Sequence, residues 1–337
     1  MQAIPLIRAR YVQAFAAAVD AAGTRSESLA EELAISPAVF EDPDALHPAN
    51  QLFAFAGCAA RMTGRADVGL EAGRAKLEDH GEFGLQVSRS MTLHQALSNF
   101  CTEALKEYSR AFFWIERKGE TIWFCREKID GDRHASRQVE LYLVELMLQT
   151  IRVAAGQTWQ PRTMWLQTEG STELRNADTL SKIDVQFGRP ILAIPIPRRL
   201  LSRTVPRGQV CMTPAEGSVE KVGASLPPPA TDFVGSLRQV IQTYLPSGHP
   251  SIETMAEVFG ASVRTLQRRL NETGVVYSDL VDGVRLHTAT SLLEDPDIPV
   301  TDIAFDVGYS DPAHFTRAFR RWTGVSPSEY RSDLVAD

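Results

Sequence analysis

Residues 251–270, SIETMAEVFGASVRTLQRRL, and residues 299–319, PVTDIAFDVGYSDPAHFTRAF, are two versions of one pattern, and that pattern decides the fold of the last third of the chain. Ile252, Met255, Ala256 and Phe259 fall at i, i+3, i+4 and i+7. Val300, Ile303, Ala304 and Val307 repeat the spacing 48 residues later. Each set lays one apolar stripe along a short helix. Gly260 and Gly308 follow the stripes, where a sharp turn between helices needs left-handed backbone. Ser262 and Ser310 are then the expected N-caps of a second helix. From there the offset becomes 49, matching Leu266, Arg268 and Leu270 to Phe315, Arg317 and Phe319, so the second copy carries one extra residue at its turn. Helix, glycine turn and capped helix make a helix-turn-helix unit, expected over 251–270 and 299–321. Two copies with equivalent apolar positions argue against coincidence.

The opposite face of each second helix carries the chemistry. Arg264, Gln267, Arg268 and Asn271 share one face, opposite Val263, Leu266 and Leu270. In the second copy Ala313, Thr316, Arg317 and Arg320 face away from Phe315, Ala318, Phe319 and Trp322. Arg pairs with guanine and Gln with adenine through two parallel hydrogen bonds, so these faces suit the major groove. Arg269, Arg320 and Arg321 lie at the flanks, where phosphate contact is the expected role. Between the copies, YSDLVDGVRLHTATSLLEDPD reads as one connecting helix, capped by Ser278 and ended at Asp295–Pro296, with Val281, Val284, Leu286, Ala289 and Leu292 or Leu293 packing both units onto it. A stiff connector matters because two reading helices meet successive major grooves only about 34 Å apart.

Residues 212–231 are poor in large apolar side chains and contain Pro227–Pro229, which marks a linker. It divides an N-terminal domain, 1–211, from a helical domain, 232–337. Upstream, helices are expected near 7–22, 50–63, 92–107 and 134–155. RAFFWIERKG and ETIWFCREK read as a hairpin turning at Lys118–Gly119, with further strands at RTMWLQTEG and ILAIPIP. That order gives an α+β N-terminal domain, helices with a small, mainly antiparallel sheet, followed by an all-α domain with two helix-turn-helix units.

Bulk properties narrow the function. The 337 residues carry a formal net charge of −7, and from Ala230 onward nine arginines, no lysine and fifteen acidic residues leave −6. A positive field over the whole helical domain is excluded, so any anion contact comes from arginines gathered on one face. No apolar run is long enough for a membrane span. Arg8, Arg10 and Asp20 interrupt the first apolar segment, so it reads as an amphipathic helix in a cytoplasmic protein. Cys58, Cys101, Cys125 and Cys211 are scattered without a C-x-x-C pair, and His47, His80, His94 and His134 lack metal-ligand spacing. Neither a metal nor another cofactor is called for.

The stretch DIAFDVGYSDPAHFTRAFRRWTGVSPSEYR, with Arg285 and SLLEDPDIPVTDIA before it, resembles the AraC/XylS family of bacterial transcription regulators over about Phe233 to Arg331. The resemblance implies a seven-helix domain that reads double-stranded promoter DNA, and RNA polymerase as a partner. Carried over residue by residue, it makes Arg264, Gln267 and Arg268 base-reading positions of the first reading helix, and Pro312, Ala313, Thr316 and Arg317 those of the second. Pro312 and Ala313 depart from the family pattern in lacking polar groups, which leaves thymine-methyl contact and Arg317 as that helix's means of reading. VGLEAG, GEFGLQVSRSMTLHQAL, TWQPRTMWL and QFGRPILAIPIPRRLLS resemble, more loosely, the arabinose-binding-type domain of one branch. That implies a small-molecule sensor that also forms a homodimer, associated with the nucleoid when bound to DNA.

In that domain Trp114, Trp123 and Trp165 are candidates for lining an effector pocket, alongside Trp159. Arg152 is the candidate for holding an effector carboxylate, with Glu145 or Asp184 as alternative partners inside the fold. The ordinary core role of the tryptophans competes with the pocket role. Two further readings stay open: a constitutive DNA-binding regulator whose N-terminal domain only dimerises, and an N-terminal enzyme with accessory DNA binding. The sequence shows no nucleophile elbow or phosphate-cradling glycine loop, so no catalytic residue is expected.

Overall fold

A computed structural model of the protein describes residues 3–129, 131–206 and 226–336. Most of the linker expected over 212–231, and Cys211, lie outside the described residues. In chain order the first elements are β1 (Leu6–Arg8), α1 (Arg10–Ala21), α2 (Ser26–Glu32), α3 (Ala38–Glu41), β2 (Leu46–Pro48), α4 (Ala49–Thr63), α5 (Val68–Ala72), α6 (Gly81–Ser88) and α7 (Leu93–Glu107). Next come β3 (Phe113–Lys118), β4 (Thr121–Arg126), α8 (Arg133–Ala155), β5 (Thr163–Trp165), α9 (Thr172–Asn176), β6 (Asp184–Gln186) and β7 (Leu192–Pro197). The last third is helical: α10 (Phe233–Tyr244), α11 (Ile252–Val258), α12 (Val263–Thr273), α13 (Tyr277–Leu293), α14 (Val300–Asp306), α15 (Pro312–Thr323) and α16 (Pro327–Ala336).

These elements form two compact units. One comprises Met1–Ala9, Ala30–Gln51 and Ala230–Asp337; the other comprises Arg10–Leu29 and Leu52–Pro229. The second unit is the α+β one. Its five-stranded sheet has the order β3-β4-β7-β5-β6 and is antiparallel except where β5 meets β6. Gly119, with φ of 64°, supplies the left-handed residue in the β3–β4 turn. Alternation along β4 buries Ile122 and Phe124 and leaves Trp123 half-buried on the other face. Helix α7 starts where the Thr92 hydroxyl accepts from Gln95 N, and α8 where the Asp132 carboxylate accepts from His134 N and Ala135 N.

The helix expected over 7–22 begins only at Arg10. Leu6–Arg8 instead pairs antiparallel with Leu46–Pro48, and Ala9 N donates to Ala45 O at 2.9 Å. A partner so distant in sequence leaves no local periodicity to read.

In the first unit the helices enclose two separate apolar cores. Leu237, Val240 and Ile241 of α10 meet Met255, Ala256, Leu266 and Leu270, together with Leu6 and Leu46 of the strand pair. Ile303, Ala304 and Val307 meet Phe315 and Phe319 in the second core. Helix α13 contributes Leu280, Val281 and Val284 to the first and Ala289 and Leu293 to the second. Its N-cap is Val276, not Ser278, which lies inside the first turn and donates its hydroxyl to Asp279.

Candidate nucleic-acid interface

The two helix–turn–helix segments share one hydrogen-bond scheme. Gly260 N donates to Glu257 O and Ala261 N to Ala256 O, at 2.9 and 2.8 Å. Forty-eight residues on, Gly308 N donates to Phe305 O and Tyr309 N to Ala304 O, at 2.8 and 2.9 Å. Gly260 and Gly308 have φ of 62° and 80°, the left-handed conformation such a turn requires. The caps then differ. Ser262 caps α12, accepting from Thr265 N, whereas α15 is capped by Asp311, accepting from Ala313 N at 2.8 Å. The expected cap Ser310 is displaced because the extra residue of the second copy enters before the cap. Asp311 follows the 49-residue offset, and Pro312 occupies the first helical turn without an unmet N–H.

Both second helices separate apolar from polar as their periodicity requires. Leu266 and Leu270 are buried on α12, and Phe315, Ala318 and Phe319 on α15. Arg264, Gln267, Arg268 and Asn271 are exposed together; so are Ala313, Arg317 and Arg320, with Pro312 and Thr316 half-exposed. The Thr316 hydroxyl donates to Pro312 O at 2.9 Å. Arg268 stands 3.6 Å from Glu272 one turn on, Arg320 3.7 Å from Glu329, and Arg321 2.9 Å from Asp282. All of these guanidinium groups are more than half exposed, and exposed pairs contribute at most about 1 kcal/mol, so each keeps donors free to face solvent. Arg269 lies over the Phe233 ring at 5.4 Å.

Several acidic residues that make this region negative hold its helices. Asp232 and Asp311 cap α10 and α15. Glu329 accepts from Ser326 N, and the Ser326 hydroxyl and N–H, with Arg320 nearby, hold its carboxyl below the usual range. Asp282 accepts from both Arg321 and Trp322. Four of the fifteen acidic residues thus have a local, structural role.

Comparison with known proteins gives the family. Residues 255–333 match the family described as a helix-turn-helix domain, and residues 23–205, more than half of the chain, match the arabinose-binding domain of AraC transcription regulators, N-terminal. The chain belongs to the AraC family of transcription regulators. It shares 26% identity over 316 residues with an uncharacterized HTH-type transcriptional regulator of Mycobacterium tuberculosis, covering 88% of each chain. With the HTH-type transcriptional regulator VqsM of Pseudomonas aeruginosa it shares 42% over 104 residues, 30% of this chain and 32% of that one. With VirS of Mycobacterium tuberculosis it shares 31% over 157 residues, 44% and 43% of the two chains. As an AraC-type regulator it combines a DNA-binding helix-turn-helix domain with an arabinose-binding-type N-terminal domain.

Within the arabinose-binding-type span, three effector candidates share one sheet face. Register places Trp114 opposite Cys125, Trp123 opposite Pro195, and Trp165 opposite Ala193, all on the side away from Ile122 and Phe124. The Trp123 and Trp165 rings lie 4.5 Å apart, and Arg189 sits 5.1 Å over Trp165. Arg152 is placed elsewhere. It donates to Trp159 O at 3.1 Å and stands 3.6 Å from Glu145, the internal partner its sequence position allowed. No group of three or more potential metal ligands occurs among the described residues, and no described helix is long and apolar enough to cross a membrane.

No sequence pattern points to a role for Asp282 or Arg331, and Arg285 enters only with the family resemblance. Arg331 donates to Leu293 O and Ile298 O, tying α16 to the end of α13. Arg285 is buried between Val281 or Val284 and Ala289, and a cation interrupting an apolar stripe was the available signal.

Proposed function

We propose that this AraC-type regulator reads two successive major grooves of one promoter duplex, with α12 in the first and α15 in the second. The observation that carries this is the repeated turn: the same two backbone hydrogen bonds, 48 residues apart, each deliver a helix whose apolar face is buried and whose Arg-bearing face is exposed. Arg264, Gln267 and Arg268 read base edges from α12. Arg317 does so from α15, with Pro312, Ala313 and Thr316 offering small surfaces to thymine methyls. Arg269, Arg320 and Arg321 neutralise phosphates beside the reading helices.

Control by a small molecule belongs to the same proposal. The Trp114, Trp123 and Trp165 face, with Arg189 over one ring, combines flat apolar area with a cation, which suits a planar or amphipathic effector. The protein is expected to work as a homodimer and to engage RNA polymerase at the promoter. A chemical screen followed by melting should find a compound that raises the apparent stability, and Trp165→Ala should abolish that rise.

The test of DNA reading is selection of fragments from a random duplex pool with the full chain. Two blocks of preferred bases at a constant separation are expected. Arg268→Ala should relax preference in one block and Arg317→Ala in the other, each at about 1–3 kcal/mol. A single short block, or preferences that neither substitution alters, overturns the two-groove reading.

A further inference from the structure

From the junction of the two cores we infer that Asp282 and Arg285 on α13 are positioning residues that set the angle of the second reading helix, and hence the separation at which the two blocks of DNA are recognised. This rests on the two-groove reading above.

No buried side chain among the described residues is common to the two cores, and α13 contributes to both. Apolar packing is non-directional and by itself leaves the second core free to pivot on the helix that carries it. Directional contacts cluster where that pivot would be. Arg285, only 7% exposed, donates from Nε to Val307 O at 3.1 Å and from Nη2 to Gly308 O at 3.4 Å, while its guanidinium covers the Tyr309 ring at 4.6 Å. It thereby grips the turn that launches α15, at the carbonyl end of α14 where a cation is favoured. Asp282, three residues earlier, accepts from Arg321 Nη2 at 2.9 Å and Trp322 Nε1 at 3.2 Å, and so holds the far end of α15. The turn that precedes α15 and the far end of α15 are thus both pinned to one helix. A third restraint closes the set. A Cβ on Gly308 would stand 2.7 Å from Leu245 O and Gly248 O, so the second turn lies directly against the chain leaving α10 in the first half.

Arg321 therefore has a role besides phosphate contact, and Trp322 is a tether as well as a core ring. Neither Asp282 nor Arg285 touches a base in this scheme. Their loss should leave what is read unchanged and alter where it is read.

The experiment uses the full chain and the random duplex pool, comparing the unaltered protein with Arg285→Lys and Asp282→Ala. Lysine keeps the charge but has no fork to reach two carbonyls at once. The unaltered protein should enrich two blocks at one separation, and a one-base-pair insertion between them should weaken binding roughly ten- to hundredfold by forfeiting the second block's contacts. Both variants should enrich the same blocks over several separations, with the insertion penalty reduced to about threefold or less. Variants that melt cooperatively yet keep the original separation and penalty overturn the inference. If Arg285→Lys fails to fold, the more exposed Asp282→Ala decides alone. A single enriched block from the unaltered protein removes the two-groove reading itself, and this inference with it.

Discussion

Gly260 and Gly308 occupy equivalent turns but are not equally constrained. Both have left-handed backbone, which costs a side-chain-bearing residue about 1–2 kcal/mol. At Gly260 an added Cβ meets only Asn50 Nδ2 at 3.2 Å, the end of a movable side chain; at Gly308 it meets two backbone carbonyls at 2.7 Å. Gly308→Ala should therefore lower the urea midpoint clearly more than Gly260→Ala, and equal shifts would contradict the close approach. Two histidines make acid a second residue-level stress. Burial pushes His47 down to about 3 and His80 down to about 4. The unfolded chain takes up these protons near the ordinary 6.5 while the folded chain refuses them. Stability is thus intact above that value and falls as pH drops towards 4 and then 3. At pH 5 His47 alone should account for a loss of about 2 kcal/mol, and His47→Leu should flatten the acid limb of stability against pH. Glu140 acts with the opposite sign. Burial pushes its carboxyl up to about 7, against the N–H groups of Gln167 and Thr168, so its contribution is lost as pH rises through neutrality.

Helix α15 shows how one element divides its work. Phe319 is fully buried, with ring contacts to Phe315 and Tyr330 at 5.7 and 5.5 Å. Truncation to alanine should cost about 3–5 kcal/mol of stability through the cavity left behind, and near-native melting would remove the residue from the core. Arg321→Ala should instead leave melting within about 1 kcal/mol, because its pair with Asp282 is solvent-exposed. On duplexes that keep one block separation it should weaken binding to all base sequences alike and flatten the salt slope by about one unit; a base-selective loss there would count against a phosphate role. The stripe of α15 was legible because Phe315, Ala318, Phe319 and Trp322 recur at helical spacing. The cap was not, since Ser310 and Asp311 are both good caps and only hydrogen-bond geometry chooses between them. The cap expected at Ser278 failed for another reason, since α13 begins after Val276 with no side-chain cap at all. Strands β3, β4 and β7 were legible from their aromatic and β-branched runs. Three-residue strands such as Leu6–Arg8 are too short to carry a period, and the placing of Trp165 beside Trp123 follows from long-range pairing through β7 that no local pattern encodes.

At the scale of the molecule, the order of the chain and the order of the fold diverge. Residues 1–9 and 30–51 belong to the same compact unit as residues 230–337. The union is built from core contacts. Leu6 and Leu46 share an apolar cluster with Phe233, Leu237 and Val240, and the His47 and Tyr244 rings stack at 6.1 Å. Hydroxyls on α10 complete it: Ser236 donates to Ile4 O at 3.3 Å and Thr243 to Leu46 O at 3.0 Å. Helix α10 therefore has one face against α13 and the helix-turn-helix core and another against the N-terminal strand pair. A fragment beginning at residue 226 would expose that second face, with apolar area worth about 25 cal/mol per Å² returned to water. The expected consequence is selective. Leu46→Ala in the full chain should speed amide exchange along α10 and α12 by an amount equivalent to about 2–5 kcal/mol, while α15, packed in the separate core, changes less. A fragment of residues 226–337 should show the same ordering, with α10 losing most protection. Full protection of α10 in that fragment would mean the strand pair adds nothing to the helical core, and that the N-terminal residues are not part of its architecture.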